Sequence, residues 1–279
     1  MKPIVFPRGK MTSAEFATQE IELAAQERER VLHELADAAQ ELKPDHESSR
    51  PPTRVVQVDP LQLESERILP PGAAGKLGGP YKMLRTQVRR RLDKLGANSL
   101  AVVGTAADTG KTLTAINLAI AIAADPERTA LLVDLDLRKP SIHRRFGIDP
   151  TVGIDDCLRG VRVLKEAMLR LRSYDRLAIL PARECCLDSS ELLSTRRTEE
   201  MILEMRNRYK DRVLLFDLPP VLQSDDALAF VRHVQAVLIV VGERRTRRDD
   251  LLRTIELLGD VPIIGTVLNG TRELVDAYY

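Results

Sequence analysis

Six short apolar runs punctuate the second two-thirds of the chain: Leu100–Val103, Ala130–Val133, Leu177–Leu180, Val213–Phe216, Val237–Val241 and Ile263–Leu268. Their apolar positions are consecutive rather than alternating, which is the pattern of strands covered on both faces, as in a parallel sheet. Between them the apolar period lengthens to that of an amphipathic helix, most clearly over Lys111–Ala124, Thr198–Tyr209 and Asp249–Leu258. Strand and helix in regular alternation predict an α/β domain with a mainly parallel central sheet and crossover helices on both faces.

The first 78 residues read differently. Thr12 followed by Glu15 forms a capping-box pattern that predicts a helix through Leu42, with Ile21, Ala25, Leu32, Leu35, Ala39 and Leu42 on one stripe. Its polar face is rich in Glu, which argues against docking on an anionic membrane. Lys43–Pro52 is a polar, proline-punctuated linker, and further breaks are expected at Pro70-Pro71-Gly72 and Gly78-Gly79-Pro80. The expected organisation is an N-terminal helix and flexible linker over 1–78, a sheet domain over 79–270 and a tail over 271–279.

Composition narrows the classes. The 279 residues carry 42 Lys and Arg against 41 Asp and Glu, a net charge of +1, so no overall field favours nucleic acid. The longest apolar runs, Ala236–Gly242 and Val261–Leu268, fall far short of the ~20 residues of a spanning helix. The N-terminal residues lack the apolar core of an export signal. Three cysteines, two of them adjacent at 185 and 186, build neither a disulfide framework nor a zinc site of standard spacing. A reducing, cytoplasmic location is the expectation. The basic runs Arg89–Arg91 and Glu243–Arg248 are read as solvated helix faces or loops.

Candidate chemistry gathers at strand ends. The Leu100–Val103 strand runs through Gly104-Thr105-Ala106-Ala107-Asp108-Thr109-Gly110-Lys111-Thr112 straight into a helix, the context of a phosphate-binding loop. Small residues there let successive backbone N–H groups, together with the positive helix end, surround a phosphate. Lys111 would reach the β- and γ-phosphates, and the Thr112 hydroxyl would bind Mg²⁺. The standard spacing places a glycine where this chain has Thr105. The next strand ends in Asp134-Leu135-Asp136-Leu137-Arg138, where alternation would put both carboxylates on one side if the extended geometry persisted. A further strand ends in Asp217-Leu218-Pro219-Pro220. Ligands of open parallel sheets collect beyond the carboxyl ends of the strands, where all three motifs fall.

In combination these residues resemble the bacterial tyrosine autokinases of capsule and exopolysaccharide synthesis, within the ParA/MinD-like P-loop ATPases. Ser189-Ser190-Glu191-Leu192-Leu193, Asp225-Asp226-Ala227-Leu228 and Gly265–Asn269 are similar as well. The resemblance spans about residues 79–270 and implies a P-loop NTPase fold with ATP and Mg²⁺ as cofactors. Ala107, Asp108, Thr109, Gly110, Lys111, Thr112 and Leu113 would bind the nucleotide, and Thr112, Asp136 and Asp217 the metal. Lys111, Asp134 and Asp217 would be the catalytic residues, with Asp134 helping to deprotonate a tyrosine. Tyr278 and Tyr279, the last two residues, would be the phosphoacceptors. The implied partner is a membrane-embedded polysaccharide chain-length or co-polymerase activator that holds the protein at the inner membrane, with homo-oligomer formation and no nucleic acid. The family's oligomerisation motif, Glu-x-x-Arg-x-x-Arg, would begin at position 79, where this chain has Gly79, Lys82 and Arg85. Two other functions use the same loop. A ParA/MinD-type positioning ATPase would carry a lysine where this chain has Ala106, and a nucleotide-bound regulator without catalysis would fit the short tail.

Overall fold

Eight strands form one sheet: β1 (Arg54–Val56), β2 (Ser99–Gly104), β3 (Thr129–Asp134), β4 (Leu169–Leu171), β5 (Leu177–Leu180), β6 (Arg212–Asp217), β7 (Ala236–Gly242) and β8 (Ile263–Asn269). Their spatial order is β1-β4-β5-β3-β6-β2-β7-β8. The computed structural model describes residues 54–73, 75–208 and 211–271. The helix expected over 12–42, the linker over 43–52 and the terminal tyrosines Tyr278 and Tyr279 lie outside the described residues.

All six expected strands are present as β2, β3, β5, β6, β7 and β8 and pair in parallel, with β6 between β3 and β2. Burial on both faces explains their unbroken apolarity. Every residue of β2 is buried, Leu100 and Val102 packing to one side and Ala101 and Val103 to the other. The remaining strands, β1 and β4, are three residues each and give no readable period; β4 runs antiparallel to β5 and β1 parallel to β4.

The helices are α1 (Pro60–Ser65), α2 (Gly75–Leu95), α3 (Lys111–Ala123), α4 (Ile142–Arg145), α5 (Ile154–Leu158), α6 (Leu164–Ala167), α7 (Ser189–Leu193), α8 (Arg196–Arg208), α9 (Asp226–Val231) and α10 (Arg248–Leu258). One layer is built by α2 and α3, through Val88, Leu92, Ile116 and Ile120. The opposite layer is built by α5, α8, α9 and α10, through Leu158, Ile202, Phe230 and Leu258.

Two expected features differ. Residues 54–78, read as linker, belong to the unit Thr53–Tyr279 and supply β1 and α1. Val58, Leu63, Ile68 and Leu69 are buried in the core. Asn117, a polar residue inside the apolar helix α3, clasps this segment: its Oδ1 accepts from the Leu69 amide at 2.9 Å and its Nδ2 donates to Arg67 O at 3.1 Å. The Tyr174 hydroxyl adds a bond to Leu69 O at 2.7 Å. The anchor is tertiary, so local composition could not reveal it. The break expected at Gly78-Gly79-Pro80 is likewise absent, because α2 runs through Pro80. Pro80, the sixth residue of α2, removes the one N–H that would reach Lys76 O, and the helix continues through it. Gly78 is required there, because a side chain would strike the backbone of Ala73.

Candidate active site

The loop between β2 and α3 has the backbone of a phosphate cradle. Asp108 (φ 58°) and Gly110 (φ 85°) both take left-handed conformations. At Gly110 two constraints meet: the positive φ, and the Asn269 side-chain amide, which occupies the space a Cβ would need. Asn269, at the end of β8, donates through Nδ2 to Thr109 O at 3.0 Å. Arg245, in the loop after β7, donates through Nη1 to Asp108 O at 2.9 Å. With two successive carbonyls gripped from behind, the loop's N–H groups are available to an anion. Thr105 is fully buried and its hydroxyl lies 3.3 Å from that of Thr246, so the residue that replaces the usual glycine points away from the cradle.

Lys111, first residue of α3, stands at the centre of three carboxylates. Its Nζ donates to Asp136 Oδ2 at 2.8 Å, lies 3.8 Å from Asp217 Oδ1 and 3.4 Å from the Thr112 hydroxyl. Burial by itself would lower the lysine's pKa, but the charges of Asp217 and Asp136 outweigh it and hold the ammonium above its ordinary value. Asp134 and Asp217 are opposite residues on the adjacent strands β3 and β6, and neither has exposed surface. Burial, reinforced by the charge of Asp217, pushes Asp134 up to about 7, against the amides of Ile142 and Ser141 that bond its Oδ2, each at 2.9 Å. Asp217 is also pushed up, by burial, with Lys111 opposing.

The predicted strand alternation stops at Asp134. Beyond it the chain turns, with the Asp136 amide bonded to Asp134 Oδ1 at 3.2 Å and the Lys139 amide to Asp136 Oδ1 at 3.2 Å. The turn, not the pleat, brings Asp136 onto Lys111.

These groups floor a cleft of about 410 Å³. Of the residues expected to bind nucleotide or metal, Ala107, Asp108, Gly110, Lys111, Thr112, Leu113 and Asp136 line it. Thr109 is buried behind the loop, and Asp134 and Asp217 lie beneath the wall. Four further cations, Arg138, Lys139, Arg145 and Arg245, also line the cleft. Arg138 belongs to the Asp-x-Asp-x-Arg run and was legible as such. Arg245 was not: its basic run reads as a solvated loop, and only the packing of that loop against residues 105–109 puts it at the site. In place of the absent oligomerisation motif, Arg85 bonds internally to Ala121 O at 3.2 Å.

The cradle, its lysine and the acidic strand ends can be set beside known proteins. No family model matches the chain. The tyrosine-protein kinase YwqD of Bacillus subtilis is 26% identical over 220 residues, covering 78% of this chain and 86% of that protein. The solved kinase domain of the Escherichia coli tyrosine kinase ETK superposes with a TM-score of 0.64 at 26% identity, over 71% of this chain and 77% of that one. The chain is akin to the bacterial tyrosine kinases. It shares their P-loop ATPase fold, and the similarity runs through the strands that carry the site. The succinoglycan biosynthesis transport protein ExoP of Rhizobium meliloti is 32% identical over 178 residues, 62% of this chain but 22% of that protein. Against this larger relative, then, the chain corresponds to about a fifth of the length.

Proposed function

We propose that the chain is an ATP-dependent protein-tyrosine kinase of exopolysaccharide or capsule synthesis, transferring the γ-phosphoryl group of ATP to Tyr278 and Tyr279 of C-terminal tails. The observation that carries this reading is Lys111 held between Asp136 and Asp217 under a phosphate cradle, in a chain akin to tyrosine kinases. A membrane-embedded polysaccharide co-polymerase is the proposed partner, with the chain peripheral to the inner membrane through it. Among the described residues no helix is long and apolar enough to cross a membrane.

The residues fit a magnesium nucleotide. Both oxygens of Asp217 are buried without a hydrogen-bond partner, a costly arrangement that a hard cation's ligand sphere would satisfy. Thr112, Asp136 and Asp217 would hold Mg²⁺. When bound it supplies charge neutralisation across the β- and γ-phosphates. Lys111 would orient the γ-phosphoryl group, and the loop amides would hold the β-phosphate in line. Asp134 is the proposed base for the tyrosine proton, because a free tyrosine hydroxyl, with a pKa of about 10, scarcely ionises at neutral pH.

Incubation of the full chain with ATP and Mg²⁺, followed by phosphosite mapping, tests the reading. Phosphotyrosine is expected at Tyr278 and Tyr279, reduced at least ~100-fold in Lys111→Met. Nucleotide hydrolysis with no phosphotyrosine would reject it. Asp134→Asn is expected to lose transfer at every Mg²⁺ concentration, while Asp136→Asn recovers in part as Mg²⁺ is raised.

A further inference from the structure

Five cations line the cleft, and three of them spend their charge on carboxylates. Lys111 is paired with Asp136 and Asp217. Arg138 is paired with Asp225 at 3.6 Å and with the wholly buried Asp226 at 3.4 Å. Arg145 is paired with Glu66 at 2.8 Å. Lys139 donates from its backbone to Asp136, but its ammonium is outside every ion pair among the described residues. Arg245 is bound instead to a neutral group, the carbonyl of Asp108, and keeps its charge uncompensated while touching the phosphate loop itself.

The loop carrying Arg245 is fixed by side chains rather than by regular structure. Thr246 Oγ1 accepts from the Gly242 amide at 3.1 Å, so the turn after β7 closes on its own hydroxyl. The same oxygen lies 3.3 Å from the hydroxyl of Thr105. Gly242 lets the turn approach the loop, because a Cβ there would stand 3.4 Å from Thr109 Cα and 3.2 Å from Arg245 Cβ. Asn269 closes the far side, its carbonyl accepting from the Glu243 amide at 2.8 Å while its side chain holds Thr109. The turn is thus bonded to the phosphate loop at Thr105 and Asp108, and Asn269 of β8 holds both the turn and Thr109.

We infer that Arg245 is a polyphosphate-binding and positioning residue for this cleft, and that Thr105, standing where a phosphate loop ordinarily has glycine, serves to latch it in place through Thr246. Arg245 acts in two ways. Its guanidinium draws the Asp108 carbonyl outward, which keeps a repulsive oxygen out of the cradle and leaves the amides facing the anion. Its remaining N–H groups supply charge-assisted bonds to phosphate oxygens. The substitution at 105 and the arginine at 245 are then one device, with no meaning if taken separately. This inference rests on the reading of the cleft as a nucleotide site.

Calorimetric titration of the full chain with Mg²⁺-ATP and Mg²⁺-ADP, alongside thermal unfolding without nucleotide, tests it. Arg245→Gln is expected to weaken binding of both nucleotides about 10- to 100-fold with the nucleotide-free melting temperature unchanged, and Arg245→Lys to recover part of the loss. Thr105→Val and Thr246→Val are each expected to weaken binding severalfold, and the double variant no further than Thr246→Val alone, because the contact with Thr105 is already lost there. Equal affinity in Arg245→Gln and the parent chain would overturn the inference while leaving the nucleotide reading intact. So would a loss matched by a lower melting temperature and not recovered by lysine. If the parent chain bound neither nucleotide, the nucleotide reading itself would fall.

Discussion

Asp217 has no exposed surface, both its oxygens lack a hydrogen-bond partner, and the Lys111 ammonium stands 3.8 Å away. Its pKa is pushed upward, so the charged form is less favourable here than in water. Neutralising it should therefore stabilise the nucleotide-free protein at neutral pH. Asp217→Asn is expected to raise the melting temperature, by about 2–4 °C for each ~1 kcal/mol relieved in a domain of this size, and to abolish phosphoryl transfer. Scanning calorimetry and phosphotyrosine detection read the two effects, and a fall in melting temperature would show that the Lys111 pair outweighs the burial penalty. At this scale much was legible. Lys111, Asp136 and Asp217 were read from motif and strand ends, and the structure brings them together. Arg245 was not legible, since nothing local distinguishes it from its neighbours Arg244 and Arg247.

Among the elements, the least expected is the segment from β1 through Leu69, which sequence composition assigns to a linker. Its attachment depends on Asn117, whose side chain makes two buried backbone bonds from the middle of α3. Asn117→Ala should leave the Leu69 amide and Arg67 carbonyl without those partners and cost about 2–4 kcal/mol, as read by denaturant unfolding. Tyr174→Phe should cost about 1 kcal/mol by loss of the bond to Leu69. Wild-type stability in Asn117→Ala would contradict the anchoring role. The strands were foreseeable for a different reason: burial on both faces demands an unbroken apolar run, and such a run survives in any reading of the sequence. β1 and β4, three residues each, carry too few positions for that signal.

For the molecule as a whole, pH acts through histidine as well as through the site. His233, half-buried with its ring 5.8 Å from that of Phe230, has a pKa lowered mainly by burial and then by Arg232. The unfolded chain therefore takes up a proton near pH 6.5 that the folded chain resists. Stability contributed by neutral His233 is full above that pH and declines as pH falls below it. Urea unfolding between pH 7.5 and about 5 should show a steeper decline in the parent chain than in His233→Gln. Identical slopes would remove His233 from the account.

Hydrophobic pattern alone determined the α/β architecture, because a sheet covered on both faces imposes a period that side-chain chemistry cannot disguise. Strand order and motif together also placed residues 104–112 and the acidic strand ends on one side, since residues at the carboxyl ends of parallel strands share one rim whatever the details of packing. Only the tertiary structure decided that the chain turns at Asp134 to deliver Asp136 to Lys111, that residues 54–78 join the core, and that Thr105 and Arg245 meet across the site. Each of these rests on contacts between residues distant in sequence, and such contacts leave no local period to read.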